Sequence, residues 1–243
     1  MIGTPLILAV ETSGRIGSVV IAVGEQILGE AVFSGSMKHS AEIFPAVCTL
    51  LDRFGRKPKD IEHIYISVGP GSFTGLRIAV TMAKTIHLAN AVKIVAVDTL
   101  DVIAANVTRL VTEKKINYEP NPATKTPPIE KIVTILDAKR GRFFVAVYQN
   151  EQGRWTKLLP DCLMSATQLL EQFANKTKPI WLLGEGLVYY KDKFKANGVE
   201  FLDERYWSPR AEKVYLLGYE TALAGHFADV PTLRPEYLTV LWL

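Results

Sequence analysis

Apolar residues along this chain fall into short unbroken runs and longer stretches with helical spacing. Leu6–Val10 is a continuous apolar run, the pattern of a buried strand. Ser18–Val23 and Gln26–Phe33 follow after short turns carrying Gly14, Gly17 and Gly24, and the three predict an antiparallel meander. Helical spacing covers His39–Phe54 and Phe73–Asn90, with Asn90 as a C-cap, and His63–Val68 reads as a strand between them. Val92–Val97 predicts another buried strand and Thr99–Leu110 a helix.

Thr112–Glu130 breaks the pattern. It holds Pro120, Pro122, Pro127 and Pro128 with little apolar content, and reads as a linker or surface loop. The opening pattern then returns: Ile132–Leu136 ending at Asp137, a turn with Gly141, Phe143–Tyr148, a Gly153 turn and a third strand near Trp155–Leu159. A helix over Ser165–Ala174 with Ser165 as N-cap, a strand at Ile180–Leu183, the turn Gly184-Glu185-Gly186 and helices near Tyr189–Ala196 and Pro209–Ala224 complete the chain. A meander followed by alternating helices and strands is the pattern of an RNase H-like lobe. Occurring twice, it predicts an α/β protein of the actin/Hsp70/sugar-kinase architecture. The expected division is an N-terminal lobe 1–111, a linker 112–130 and a C-terminal lobe 131–243, with the last helix free to pack back on the first lobe.

Composition changes this picture little. The 243 residues are 48% hydrophobic and 22% charged, enough for a large core without disulfide or metal staples. A formal charge of +3 does not by itself identify a nucleic-acid binder, though it says nothing about clustering. Two cysteines, Cys48 and Cys162, exclude a disulfide framework, and Cys48 is expected in the core. The N-terminus lacks a basic n-region and no apolar stretch is long enough to span a bilayer, so the expected location is the cytoplasm.

The most specific segment is SVGPGSFTGLRIAVTMAKTIHLAN at 67–90, where a strand ends in Gly69-Pro70-Gly71 and Ser72-Phe73-Thr74-Gly75 opens a helix. Glycines at such a turn let backbone approach a ligand, and free N–H groups at a helix start attract anions. No Gly-Lys-Ser/Thr follows, and Thr74 stands where a third glycine of GxGxxG would be. A tight structural turn and a phosphate cradle are both compatible with these residues.

GPGSFTGLR resembles the hallmark of the TsaB/YeaZ family, and ILAVETS at 7–13, KHSAEIFPAVCTLL at 38–51 and IVTILDAKRGRFFVAVY at 132–148 resemble other family segments. The resemblance is dense over 6–105 and thinner beyond. The family tends to end in Pro-x-Tyr-Leu-Arg, and Thr239 stands here in the place of that Arg. The resemblance implies two RNase H-like lobes and a non-catalytic subunit that pairs with a TsaD-like transferase and meets a TsaE-like ATPase. Their complex acts on tRNA, threonylcarbamoylating the adenosine beside the anticodon. It also implies a homodimer when alone, no membrane, no cofactor in the isolated chain, and ATP or ADP only at an interface with partners.

The residues agree with a non-catalytic role. Helical metal sites of TsaD-like proteins use histidines at i and i+4, but His39 is followed by Ile43, and His63, His87 and His226 are far apart. Active enzymes of this architecture place an Asp-x-Gly-Thr/Ser turn after the first strand of each lobe. Here the turns read Glu11-Thr12-Ser13 and Asp137-Ala138-Lys139. The residues expected near any nucleotide or phosphate are Glu11, Thr12, Ser13, Gly69, Gly71, Ser72 and Gly75. The helices 39–54 and 73–90 carry more apolar positions than one sheet contact needs, and the expected pairing surface comprises His39, Phe44, Val47, Leu51, Leu76, Val80 and Ala83. The alternatives are a stand-alone actin-like ATP-using enzyme or chaperone, or a glycoprotease-like metallopeptidase.

Overall fold

A computed structural model describes residues 4–35, 38–107, 129–152, 154–174 and 177–237. The Pro-rich stretch expected as a linker lies outside these residues, except for Ile129 and Glu130, as does Gly153. The described chain forms two compact units, one running to Val102 and resumed by Pro209–Tyr237, the other Ile103–Ser208.

In the first unit, β1 (Leu6–Glu11), β2 (Ser18–Val23) and β3 (Gln26–Val32) form the expected meander. β4 (Ile61–Gly69) and β5 (Lys93–Asp98) then add in parallel, giving the order β3-β2-β1-β4-β5. The unbroken apolar run of β1 has a simple cause. Alternate residues point to opposite faces of a sheet, and both faces are covered. Leu6, Leu8 and Val10 join the core under α1 (His39–Arg53) and α2 (Phe73–Asn90). Ile7 and Ala9 join a second core with Tyr65 under a helix from the far end of the chain, Ala211–Leu223.

The second unit repeats the plan. β6 (Lys131–Asp137), β7 (Arg142–Glu151) and β8 (Arg154–Ser165) form its meander. β9 (Ile180–Leu183) and β10 (Val199–Phe201) add in parallel, in the order β10-β9-β6-β7-β8. The same topology therefore occurs twice, and the chain is α/β with two RNase H-like units. Three further helices follow in chain order: α3 (Thr99–Ala105), α4 (Ala166–Phe173) and α5 (Leu187–Tyr190). The C-terminal helix Ala211–Leu223 is α6.

Several boundaries differ from the sequence reading for identifiable reasons. Residues 209–237 belong to the first unit, not to a C-terminal lobe extending over 131–243, because the second face of the first sheet needs α6. The C-cap of α2 is Ala91, in the left-handed region at φ 53°, and Asn90 is still helical. Only one turn of α-helix forms at Leu187–Tyr190, followed by a 3-10 turn at Lys191–Phe194. β8 runs to Ser165, well past Leu159, and β10 escaped notice because three residues carry no measurable period. Ser165 caps α4 as expected, its hydroxyl accepting from Gln168 N while Gln168 Oε1 accepts from Ser165 N. Cys48 is exposed, since it shares the outward face of α1 with Phe44 one turn earlier.

Gly218 sets how closely α6 approaches the sheet. A Cβ there would lie 2.7 Å from the ring of Tyr65, which is fully buried. Gly218→Val should destabilise the chain by about 2 kcal/mol through overpacking, read as a lowered urea midpoint with unchanged far-ultraviolet circular dichroism in the native baseline.

His39 opens α1 and is buried, with Nε2 at 3.1 Å from the Gly14 carbonyl and Nδ1 without a hydrogen-bond partner. Burial holds its pKa below the ordinary 6.5, and the Gly14 carbonyl offsets part of that shift. The unfolded chain therefore binds a proton more readily than the folded one, and stability contributed by neutral His39 is lost as pH falls below about 6.5. Between pH 7.5 and 5.5 the urea midpoint should fall more steeply for the wild type than for His39→Gln. Parallel profiles would show that His39 does not contribute.

Candidate functional site

The glycine-rich turn and the loop after β1 are built against each other. β4 ends at Gly69, whose φ is 132°, and the Gly69–Pro70 peptide is cis. Ser72 caps α2, its hydroxyl accepting from Gly75 N at 3.3 Å, and Ser72 N donates to Ser13 O at 2.8 Å. Thr12 Oγ1 donates to Gly75 O at 2.8 Å. A Cβ on Gly75 would stand 1.8 Å from Thr12 O, and one on Gly71 2.6 Å from Ser13 O. The clearance that these glycines provide is thus taken by the chain's own backbone. These backbone contacts are those of a tight structural turn.

Glu11 lies beneath this contact and is fully buried. Its Oε1 accepts from Ser13 N and Ser13 Oγ, each at 2.5 Å, and its Oε2 accepts from Ser67 Oγ. Hydrogen bonds to the charged form are what make a buried carboxylate tolerable. The fold therefore brings Glu11, Thr12, Ser13, Gly71, Ser72 and Gly75 together, with hydroxyls and carboxylate bonded to the backbone and to one another, while Gly69 faces the Glu236 carbonyl. The second unit uses the same device: Gly186 N donates to Ile135 O at 3.0 Å, and a Cβ on Gly184 would stand 2.2 Å from that oxygen. Asp137 is satisfied locally, by Lys139 N at 2.8 Å and Lys139 Nζ at 2.7 Å. Among the described residues no group of three or more His, Cys, Asp or Glu side chains converges as metal ligands do.

The expected pairing surface requires correction. His39, Val47, Leu51, Leu76, Val80 and Ala83 are all buried within the first unit, and of the expected set only Phe44 is exposed. The small residues Ala79 and Ala83 let α2 sit close on the sheet, not on a partner. What α1 and α2 leave outward is an apolar groove of about 490 Å³, lined by Phe44 and Ile43 on one side and Phe73, Arg77, Ile78 and Met82 on the other. Phe44 is 56% exposed and Phe73 53%. At the mouth, the Arg77 guanidinium lies 3.6 Å over the Phe73 ring and its Nε donates to Tyr237 Oη at 3.3 Å. Tyr237 reaches this point because the C-terminal strap is pinned to the sheet, with Ala228 N on Ile94 O and Glu236 N on Val68 O. Phe73 and Arg77 were missed by sequence reasoning, although their i, i+4 spacing across the start of α2 was available as a signal. Thr239, in the position of the family's Arg, lies outside the described residues. No described helix is long and apolar enough to cross a membrane.

Comparison with known proteins agrees with this geometry. The model of the family described as "TsaD: tRNA N6-adenosine threonylcarbamoyltransferase" matches residues 26–231. The tRNA threonylcarbamoyladenosine biosynthesis protein TsaB of Bacillus subtilis is 29% identical over 96% of this chain and 93% of its own length. The TsaB protein of Escherichia coli is 26% identical over 84% of this chain and 83% of its own. Among solved structures, YeaZ from Pseudomonas aeruginosa superposes with a TM-score of 0.77 at 21% identity, covering 96% of this chain and all of that one, which shows a shared fold. With the family model spanning most of the chain and the GPGSFTGLR turn seated on the loop after β1, the chain belongs to the TsaD family, on its TsaB/YeaZ branch.

Proposed function

We propose that this chain is a non-catalytic subunit in the formation of threonylcarbamoyladenosine on tRNA, and that it holds a TsaD-like transferase through the groove between α1 and α2. The names of its relatives support the pathway. The single observation that supports the pairing is the exposed aromatic groove. Phe44 and Phe73, each more than half exposed beside Ile78 and Met82, are large apolar side chains that the lobe does not need for its own core. An interface centred on them would have aromatic anchors with Arg77 and Tyr237 at the rim, the composition of energetic hot spots. The contacts of Gly71 and Gly75 with the Ser13 and Thr12 backbone support a structural role for this turn, because a side chain at either position would separate the two loops. Without the transferase, the same groove would pair two copies of this chain.

Surface and core substitutions separate the pairing surface from the interior. Phe44→Asp and Phe73→Asp should each leave the chain folded by circular dichroism and weaken capture of the TsaD-like subunit by about 30-fold or more, the scale of a hot-spot loss of about 2 kcal/mol. Val80→Asp should instead unfold the first unit, since it places an unpaired carboxylate in the core. Wild-type affinity in both phenylalanine variants, measured by titration calorimetry, would rule this groove out as the docking site.

A further inference from the structure

The second unit gathers positive charge from two segments far apart in sequence. Residues 137–142, DAKRGR, close the turn between β6 and β7, and residues 187–195, LVYYKDKFK, form α5 and the 3-10 turn after it. Lys139, Arg140, Arg142, Lys191, Lys193 and Lys195 stand there against Asp137 and Asp192, a net of +4 in a chain whose formal total is +3. The rest of the chain is therefore close to neutral in sum. The fold joins the segments through Phe143, whose ring packs edge-on against Tyr190 at 5.5 Å and Phe194 at 4.9 Å. Lys139 is held protonated first by its hydrogen bond to Asp137, with Tyr190 and Tyr189 also close enough to act on it.

Both carboxylates are engaged within the patch, Asp137 with Lys139 at 2.7 Å and Asp192 with Lys195 at 2.6 Å. Arg140, Arg142, Lys191 and Lys193 remain as exposed cations. Among them stand Tyr189, 69% exposed, and Tyr190, whose ring lies 5.2 Å from Lys193 Nζ. The turn itself is strained: Lys139, Arg140 and Gly141 have φ of 67°, 53° and 74°. Two long cationic side chains thus occupy a left-handed conformation that favours glycine. A Cβ on Gly141 would meet nothing within 4 Å, so the tip of this tight hairpin, closed by Arg142 N on Lys139 O at 3.0 Å, faces open space. Strain of this kind concentrates where function retains it.

We infer that this face of the second unit is an RNA-contact surface, with Arg140, Lys191 and Lys193 on phosphates. Dispersed exposed cations suit a nucleic-acid backbone, which needs no apolar centre, better than a protein interface, which does. The inference rests on the proposed function and deepens it, making this chain a direct tRNA contact as well as a partner of the transferase.

The test uses the full chain and a fluorescent transcript of a tRNA that reads a codon beginning with A, followed by anisotropy over a salt series. Arg140→Gly combined with Lys193→Ala should weaken binding at low salt by about tenfold. The slope of log K against log salt should shrink by about 1.4–1.8, the value for two lost phosphate contacts. The thermal midpoint should stay level or rise, because glycine relieves the left-handed arginine. Arg56→Ala with Lys59→Ala, exposed cations of the first unit, should bind as the wild type does. Wild-type affinity and slope in the Arg140/Lys193 variant, equal weakening in the Arg56/Lys59 variant, or binding of the wild type to anionic vesicles but not to tRNA would each overturn the assignment. Loss of tRNA affinity in the patch variant alongside undiminished transferase binding by Phe44→Asp would sink the pairing groove and leave the RNA surface standing. The reverse pattern would do the opposite.

Discussion

The first unit depends on one close approach of backbone to backbone. The turn after β4 lies on the loop after β1, with Gly75 against the Thr12 carbonyl and Gly71 against that of Ser13. Any side chain at either glycine would separate the two loops. The contact also exchanges hydrogen bonds in both directions, Ser72 N to Ser13 O and Thr12 Oγ1 to Gly75 O, so the polar backbone of neither loop is left buried and unpaired. It fixes the start of α2, and Glu11 and His39 fill the space beneath and beside it.

The second unit meets the same requirement with different residues. Gly184 and Gly186 approach Ile135 O where Gly71 and Gly75 approach Ser13 and Thr12. Parallel addition of a later strand to the first lays the chain that follows it against the end of the first strand, within β6 at Ile135 or on the loop after β1, and glycine clears the approach. The repeated strand order is thus accompanied by a repeated glycine contact, although the sequences around it, GPGSFTG and GEG, share little.

A closed turn shifts attention from the strand ends to the outer surfaces. The groove of α1 and α2 is apolar with an Arg–Tyr mouth, whereas the face made by the Lys139–Gly141 turn and the 187–195 segment is cationic. The first has the chemistry of a protein contact, the second that of an anionic polymer. Each lies within a single unit and is defined by side chains that the core does not use.

The sequence by itself determined what local patterns can carry. The two-sided burial of β1 was readable in Leu6–Val10, the cap at Ser165 in its spacing to Gln168, the repeat in the returning meander, and the family in GPGSFTGLR. Periodicity also showed that Val47, Leu51, Val80 and Ala83 share helical faces, but spacing cannot say whether a face meets a sheet or solvent. The sheet took them, and Phe44, Cys48 and Phe73 were left outward. The sequence left the last helix free to return to the first lobe, but did not show that it covers Ile7, Ala9 and Tyr65, because an apolar run records that a face is buried and not which element buries it. The cationic face is the clearest case. Each of its two segments is an ordinary charged stretch, and only the packing of Phe143 against Tyr190 and Phe194 places them together. Contacts between residues distant in the chain depend on the three-dimensional path of the backbone, which no local pattern encodes.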